Sequence, residues 1–457
     1  MRRFLRSFCS CLPYRRAPVF AVLGRDGRCR HSMTPNSHRS RPVVILNMHY
    51  TGLAIARGLQ ECGAAPVYGV GANETMFGNF SRYCRYVRSP DTEVAPDQCR
   101  DFLMKFSDQF DTRPLLFPTR DHDLQFLSKF HSELEERYVV IAAPPPILQT
   151  ILNKASLYRV AHELGIPYPA TAWVNSHADM ERVKDELLFP VIVKPVYTTQ
   201  WRRREVSEIV RHKAVIVQDY DELRRFYARI EHVDPMIHIQ EFIPGADANL
   251  VVFGSYVNPK SRLMRYFTGR KLLQYPARSG TGVAVQACPV PDIVEPSRKL
   301  LARLGYGGVS EIEYKHDRRN GNYVLIEMNP RFWDQHGVGA AAGVNLAQCL
   351  FLDVTEGSVP EQSQNPGRIT WIAEDGYVVS FLSNLKTGSY PVGDYFRALK
   401  GRTTLAVFER RDWRPAFSLA ARLIRDIAKD VCCRVAAIAS RLATGLQSTL
   451  SGRNKRN

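Results

Sequence analysis

A chain of 457 residues is too long for one ordinary hydrophobic core, so two or three packed units with tails are expected. Hydrophobic residues at 45% and charged residues at 23% are ordinary values for a folded protein, and no run of about 18 apolar residues is present to span a bilayer. The net charge of +17 sits at the ends: residues 1–41 hold ten arginines against Asp26, and from Arg397 onward fourteen lysines and arginines face Glu409, Asp412, Asp426 and Asp430. The near-neutral middle excludes a broad surface for neutralising nucleic-acid phosphates, so no nucleic-acid partner is expected.

The ten cysteines are scattered, and neither Cys9 with Cys11 nor Cys432 with Cys433 has a second pair at zinc-site spacing. Reduced thiols in the cytoplasm are the expectation. Residues 1–41 lack the continuous apolar stretch of a secretory signal and are expected to be a disordered basic extension, with Met33 as an alternative start.

The first strand is expected at Val43-Val44-Ile45-Leu46. A polar turn follows, and Leu53, Ile55, Ala56 and Leu59 then recur at helical spacing until Gly63. Pro66 to Val70, Leu115-Leu116-Phe117 and Tyr138 to Ile141 read as further strands of a Rossmann-like parallel sheet over residues 42–146. Tyr50-Thr51-Gly52 lacks the three glycines of a dinucleotide fingerprint, which argues against NAD in the first turn.

The prolines at 144–146 are a stiff break and mark a boundary. After them one helix is expected over residues 147–164, closed by Gly165. Strands around Val191 to Pro195, Ala214 to Val217 and Ile237 to Glu241, with a polar helix over 221–230, form an α+β unit. Lys194 ends an apolar strand, where its desolvation is costly unless an anion meets it. Lys154 and the Arg270-Lys271 pair are further cations of the same kind. Gln240, Glu241, Phe242 and Ile243 lead to a turn at Gly245, where a purine fits against strand-edge backbone and Glu241.

Residues 311–331 carry the densest chemistry. Glu311, Glu313 and Lys315 alternate on one run, Glu327, Asn329 and Arg331 on the next, and a glycine-containing turn joins the two as a hairpin. Side chains two apart share a face, so the hairpin can bring Glu313 opposite Glu327. Two carboxylates and an amide oxygen form a hard oxygen site suited to Mg²⁺, with Mn²⁺ as a substitute, and Arg331 could clamp a phosphoryl oxygen. A surface hairpin with solvated charges would produce the same pattern. Thr119-Arg120-Asp121 and Trp333-Asp334-Gln335-His336 either touch substrate or cap and pack. From Phe417 through Leu442, apolar residues return every three or four positions with arginines between them. That helix packs on the body, lies in a membrane plane, or binds a partner.

Taken in order, Asn153-Lys154 with Tyr158, Val191 to Pro195, Gln240 to Gly245, Arg270-Lys271 and Ile326-Glu327-Met328-Asn329-Pro330-Arg331 resemble the ATP-grasp superfamily over about residues 42–360. The likeness is to its carboxylate–amine ligase branch, near D-aspartate ligase and carbamoyl-phosphate-synthase-like proteins. It implies α/β and α+β architecture, with a parallel-sheet domain at 42–146, an ATP-grasp domain at 147–360 whose lid spans about 170–240, an extension at 361–415 and a basic amphipathic tail at 416–457. It further implies that Lys154 and Lys194 hold the α and β phosphates of ATP, and that Glu241 with Phe242 and Ile243 reads adenine. Asp247 or Asn249 would lie near ribose and Lys271 near the γ phosphate. Glu313, Glu327 and Asn329 would bind Mg²⁺, and Arg331 would face an acyl-phosphate. The implied reaction joins a small carboxylate or amino acid to an amine. A scaffold that keeps ATP without turnover, reaching a membrane through its basic tail, is the alternative. The basic segment 197–213 departs from the family pattern in lacking glycine.

Overall fold

The computed structural model describes residues 41–62, 66–195, 214–278 and 280–426, with Trp201, Val210 and Ala428 besides. The expectations for residues 1–40, Gly63, the segment 197–213 apart from Trp201 and Val210, and the tail after Ala428 lie outside the described residues.

Three sheets organise the chain. The first holds β1 (Val43–Leu46), β2 (Val67–Gly71), β3 (Arg85–Arg88), β4 (Leu115–Phe117) and β5 (Val139–Val140), all parallel in the order β3-β2-β1-β4-β5. Strand β1 is covered on both faces, which is why it reads as an unbroken apolar run. Gly52, in the first turn of the helix Tyr50–Gly58, has no room for a side chain because a Cβ would stand 2.3 Å from the Asn47 carbonyl oxygen. Strand β3 was not foreseen: its Arg-Tyr-Val-Arg sequence is that of a charged edge strand, with little apolar signal.

The second sheet is antiparallel, with β6 (Thr171–Val174), β7 (Val191–Pro195), β8 (Val215–Val217) and β9 (Ile237–Glu241) in the order β6-β9-β7-β8. Val191, Val193, Ile237 and Ile239 pack with Leu223 and Tyr227 of the helix Tyr220–Ile230. The period of two therefore turns Lys194 and Gln240 to the other face.

The third sheet runs β14-β13-β10-β11-β12-β15-β16, from β10 (Leu250–Val257), β11 (Leu263–Tyr275), β12 (Thr281–Ala287), β13 (Gly308–His316), β14 (Tyr323–Asn329), β15 (Ile369–Ile372) and β16 (Arg402–Leu405). Its pairs are antiparallel except β15 with β16. One apolar core joins Leu53 and Ala56 of the first unit to Val338, Leu346 and Trp371 of the third-sheet unit.

The helix expected over 147–164 is two helices, Pro145–Leu152 and Lys154–Glu163. Asn153 separates them because its side chain accepts the Ser156 N–H at 3.1 Å and caps the second helix. The prolines at 145 and 146 begin the first of the two, where their missing N–H groups cost nothing. No helix among the described residues is long and apolar enough to cross a membrane.

Candidate functional site

The hairpin register places Glu313 opposite Glu327 and Glu311 opposite Asn329. Ile312 and Tyr314, between the glutamates, are fully buried in an apolar core, so alternation presents Glu311, Glu313 and Lys315 on the other face. On β10, Val252 pairs with both Glu313 and Gly269, and Lys271 lies two residues beyond Gly269 on the same face. Its ammonium accordingly meets Glu313 in a buried ion pair.

The second sheet and the capped helix bring the other cations. Lys154 Nζ stands 3.8 Å from Glu327, and Lys194 Nζ donates to Gln240 Oε1 at 3.3 Å. The Gln240 amide donates in turn to the Tyr158 hydroxyl at 2.8 Å, and that hydroxyl donates to the Ile326 carbonyl of β14 at 2.8 Å. One chain of polar contacts thus runs from Lys194 to the acidic hairpin. His238, paired with Lys194 in the β7–β9 register, is buried with Nε2 unpartnered; burial and then the charges of Lys154 and Lys194 push it down to about 2, which keeps it neutral.

Burial, reinforced by Lys154, pulls Lys194 down to about 7. Burial, reinforced by Glu313, pushes Glu311 up to about 8. Burial alone would raise Glu327 as well, but Lys154, Lys271 and Lys194 hold it below the usual carboxylate range. The face therefore has one lysine, Lys194, short of an anion and one carboxylate, Glu311, short of a cation. A polyphosphate with its counter-ion would satisfy both.

Glu311 accepts a bond from Asn329 Nδ2 at 3.0 Å, while its Oε1 is buried with no hydrogen-bond partner. Among the described residues no group of three or more His, Cys, Asp and Glu stands arranged to hold a metal ion. The donor set fits Mg²⁺ in the manner of an ion shared with phosphate and water: the facing pair Glu313 and Glu327, Asn329 two residues on, and an orphaned carboxylate oxygen beside them.

The other expected residues are placed as follows. Glu241 Oε1 meets Arg319 at 2.5 Å, and its N–H donates to the Ala170 carbonyl. The Phe242 N–H donates to the Pro190 carbonyl at 3.2 Å, so this group is already engaged within the protein; Ile243 is buried. Asp247 is buried, bonded through Oδ2 to the Tyr390 hydroxyl, with Oδ1 unpartnered. Asn249 Nδ2 donates to the His316 carbonyl at 3.2 Å. Arg331 Nε meets Asp121 at 2.7 Å, which ties the β4 loop to the end of the hairpin.

Thr119 and Arg120 cap a helix, since both backbone N–H groups donate to Asp123 Oδ2. Trp333 stacks on Phe267, Gln335 donates to the Gly282 carbonyl, and Asp334 accepts the Thr51 hydroxyl at 2.8 Å. His336 is buried, held down at about 4 by that burial, with Nε2 3.2 Å from the Thr51 carbonyl. Its role is to join the two units. Tyr390 and Arg319, which the sequence does not single out, act at long range on Asp247 and Glu241, Tyr390 from a segment with no motif of its own and Arg319 from the turn of the acidic hairpin. A concavity of about 170 Å³ opens at the carboxyl ends of β1 and β2, lined by Asn47, Asn73, Asp91 and Arg120 among others. Open parallel sheets bind ligands at that edge.

The family model of the carbamoyl-phosphate synthase L chain, ATP binding domain, matches residues 289–357, which include the whole acidic hairpin. D-aspartate ligase of Enterococcus faecium is 27% identical over 290 residues, covering 59% of this chain and 67% of that protein. Biotin carboxylase from Campylobacter jejuni, solved as a β-γ-ATP complex, superposes with a TM-score of 0.57 at 15% identity, over 73% of this chain and 75% of its own. N5-carboxyaminoimidazole synthetase from Staphylococcus aureus gives a TM-score of 0.57 at 13% identity, over 76% and 86%. At such identities the structural likeness carries the fold alone. The sheet order, the family model and the sequence relative agree in a likeness to the ATP-grasp superfamily.

Proposed function

We propose that this chain is an ATP-dependent ligase that activates a small carboxylate or amino acid as an acyl-phosphate and joins it to an amine. The observation that carries this reading is the single face on which Lys154, Lys194 and Lys271 converge with Glu311, Glu313 and Glu327. The relatives add the reaction class, since D-aspartate ligase is an enzyme of this kind by name. A carboxylate oxygen attacks the γ phosphorus in line and ADP departs; the amine nitrogen then attacks the acyl carbon, phosphate leaves, and the nitrogen loses a proton.

Lys154 and Lys194 would hold the α and β phosphates, and Lys271, paired with Glu313, would approach the γ phosphate. Glu313, Glu327 and Asn329 would hold Mg²⁺, with Mn²⁺ able to replace it. Such an ion would supply neutralisation of phosphate charge. Arg331, positioned by Asp121, would face the acyl-phosphate. The supporting chemistry is that phosphoryl transfer needs positioning and charge stabilisation rather than a nucleophilic side chain.

The test is release of ADP and phosphate with Mg²⁺ across a panel of D- and L-amino acids and small carboxylates, each offered with amines. Substrate-dependent release supports the ligase. ATP binding without such release anywhere in the panel would leave only an ATP-holding scaffold.

A further inference from the structure

The last described part of the chain presents an apolar stripe to solvent from a firmly held helix. Residues 414–426 are helical. Just before them the buried Asp412 accepts Arg57 Nε at 3.0 Å, the Ser81 hydroxyl at 2.7 Å and the Arg82 N–H at 2.9 Å. Leu419 is buried in the core that holds Leu53 and Trp371, and Arg422 pairs with Asp375 at 3.5 Å. The helix is therefore anchored along one side.

Its other side carries Phe417 and Ile424, exposed by 69% and 67%, with Trp413, exposed by 54%, directly before the first turn. At about 100° per residue, positions 413, 417, 420 and 424 fall within a stripe roughly 60° wide. Single exposed apolar residues are ordinary, whereas a contiguous row marks an interaction surface. Arg410, Arg411, Arg414 and Arg425 are exposed around it. In the sequence the same spacing continues with Val431, Val435, Ile438 and Leu442. More than half of the exposed large apolar side chains among the described residues fall within residues 378–424.

Charge decides the occupant. A second copy would set one arginine-flanked stripe against another. The chain's own residues 427–457 are also basic, with Lys429, Arg434, Arg441, Arg453, Lys455 and Arg456 against Asp430. A polynucleotide would match the arginines and leave Phe417 and Ile424 bare. An anionic bilayer answers both features, because aromatic and aliphatic side chains enter the interface while arginines meet headgroup phosphates. We propose that the Trp413–Phe417–Ile424 face lies in the plane of an anionic lipid bilayer and docks the protein there. This inference is independent of the ligase reading.

The test sediments the full chain with vesicles of phosphatidylglycerol and phosphatidylcholine, or of phosphatidylcholine alone. The wild-type protein is expected to bind the anionic vesicles and to bind the neutral ones about tenfold less. A Phe417→Asp, Ile424→Asp double variant should lose binding to anionic vesicles by about tenfold, with an unchanged melting temperature, since both side chains are exposed. Quenching of tryptophan fluorescence by brominated lipid should fall in Trp413→Phe. Undiminished binding by the double variant overturns the proposal, because the arginines, including those of residues 1–41, would then hold the membrane by charge alone. Absence of wild-type vesicle binding overturns it too. So does self-association, or a tighter hold on a nucleic-acid polymer, that the same double variant abolishes.

Discussion

The clusters around Asp123 and around Glu311 both bury carboxylates, and they differ in how completely those carboxylates are answered. Asp123 is fully buried and receives the N–H groups of Thr119 and Arg120 at 3.0 and 2.9 Å, the Thr92 hydroxyl at 2.7 Å and the Arg120 guanidinium at 2.9 Å. Glu311, nearly as buried, leaves Oε1 without a partner and lies beside Glu313, whose negative charge raises it further. A carboxylate with its lone pairs satisfied holds structure together; one left short of positive charge beside other carboxylates is suited to an arriving cation. The cations repeat the contrast. Arg120 is fully engaged in its cluster, whereas burial and then the charge of Lys154 pull Lys194 down to about 7.

That contrast can be broken most severely at Glu327. Glu327→Gln keeps the shape of the side chain and removes one charged metal ligand, so turnover should fall about a thousand-fold, about 4 kcal/mol of transition-state stabilisation. The melting temperature should hold within a few degrees. Wild-type rates of ADP release in this variant would remove the hairpin from the chemistry.

The opposite result is expected at Asp123. Asp123→Asn leaves Arg120 and the helix cap with a neutral partner in a buried position, and chemical denaturation should show a loss of about 3 kcal/mol of stability. ADP release per folded molecule should stay near that of the wild type. If turnover vanished while stability held, the division between a structural and a functional cluster would be wrong.

The smallest effect sharpens the comparison at Lys194. Lys194→Met should raise the KM for ATP about tenfold, or about 1.4 kcal/mol, with a lesser change in kcat. The pH sign follows from the lowered pKa: Lys194 is charged below about 7 and neutral above it, and phosphate prefers the charged form. The wild-type kcat/KM for ATP should therefore fall as pH rises through that value. A profile that keeps the same step in Lys194→Met would assign the titration to another group.

Much of the fold was legible where one period ruled a segment. The four apolar residues of β1 are buried on both faces, and the polar helix expected over 221–230 spans Tyr220–Ile230. Charged edge strands such as β3 carry no such signal, and neither does Asn153, whose capping splits a pattern that reads as one helix. In the site, the hairpin register was legible because a glycine turn and a period of two leave few ways to pair the runs. The Phe242 N–H, expected to face a purine, is engaged by Pro190, a contact between segments that no local pattern predicts. The stripe from Trp413 to Ile424 was visible as helical spacing, but its direction was not. Only the anchoring by Asp412 and Leu419 shows that the apolar side faces outward.

By itself the sequence determined the acidic hairpin, the separation of charge between ends and middle, and the order of lysines that carries the family likeness. These are local in origin, arising from alternation, turn chemistry and composition. The tertiary structure decided which charges meet. It brought Lys154 to Glu327, Lys271 to Glu313, Arg331 to Asp121 and Tyr390 to Asp247, and it left Glu311 and Lys194 short of partners. Electrostatic energy depends on distance and burial across the whole fold, and neither quantity is written in any single stretch of chain.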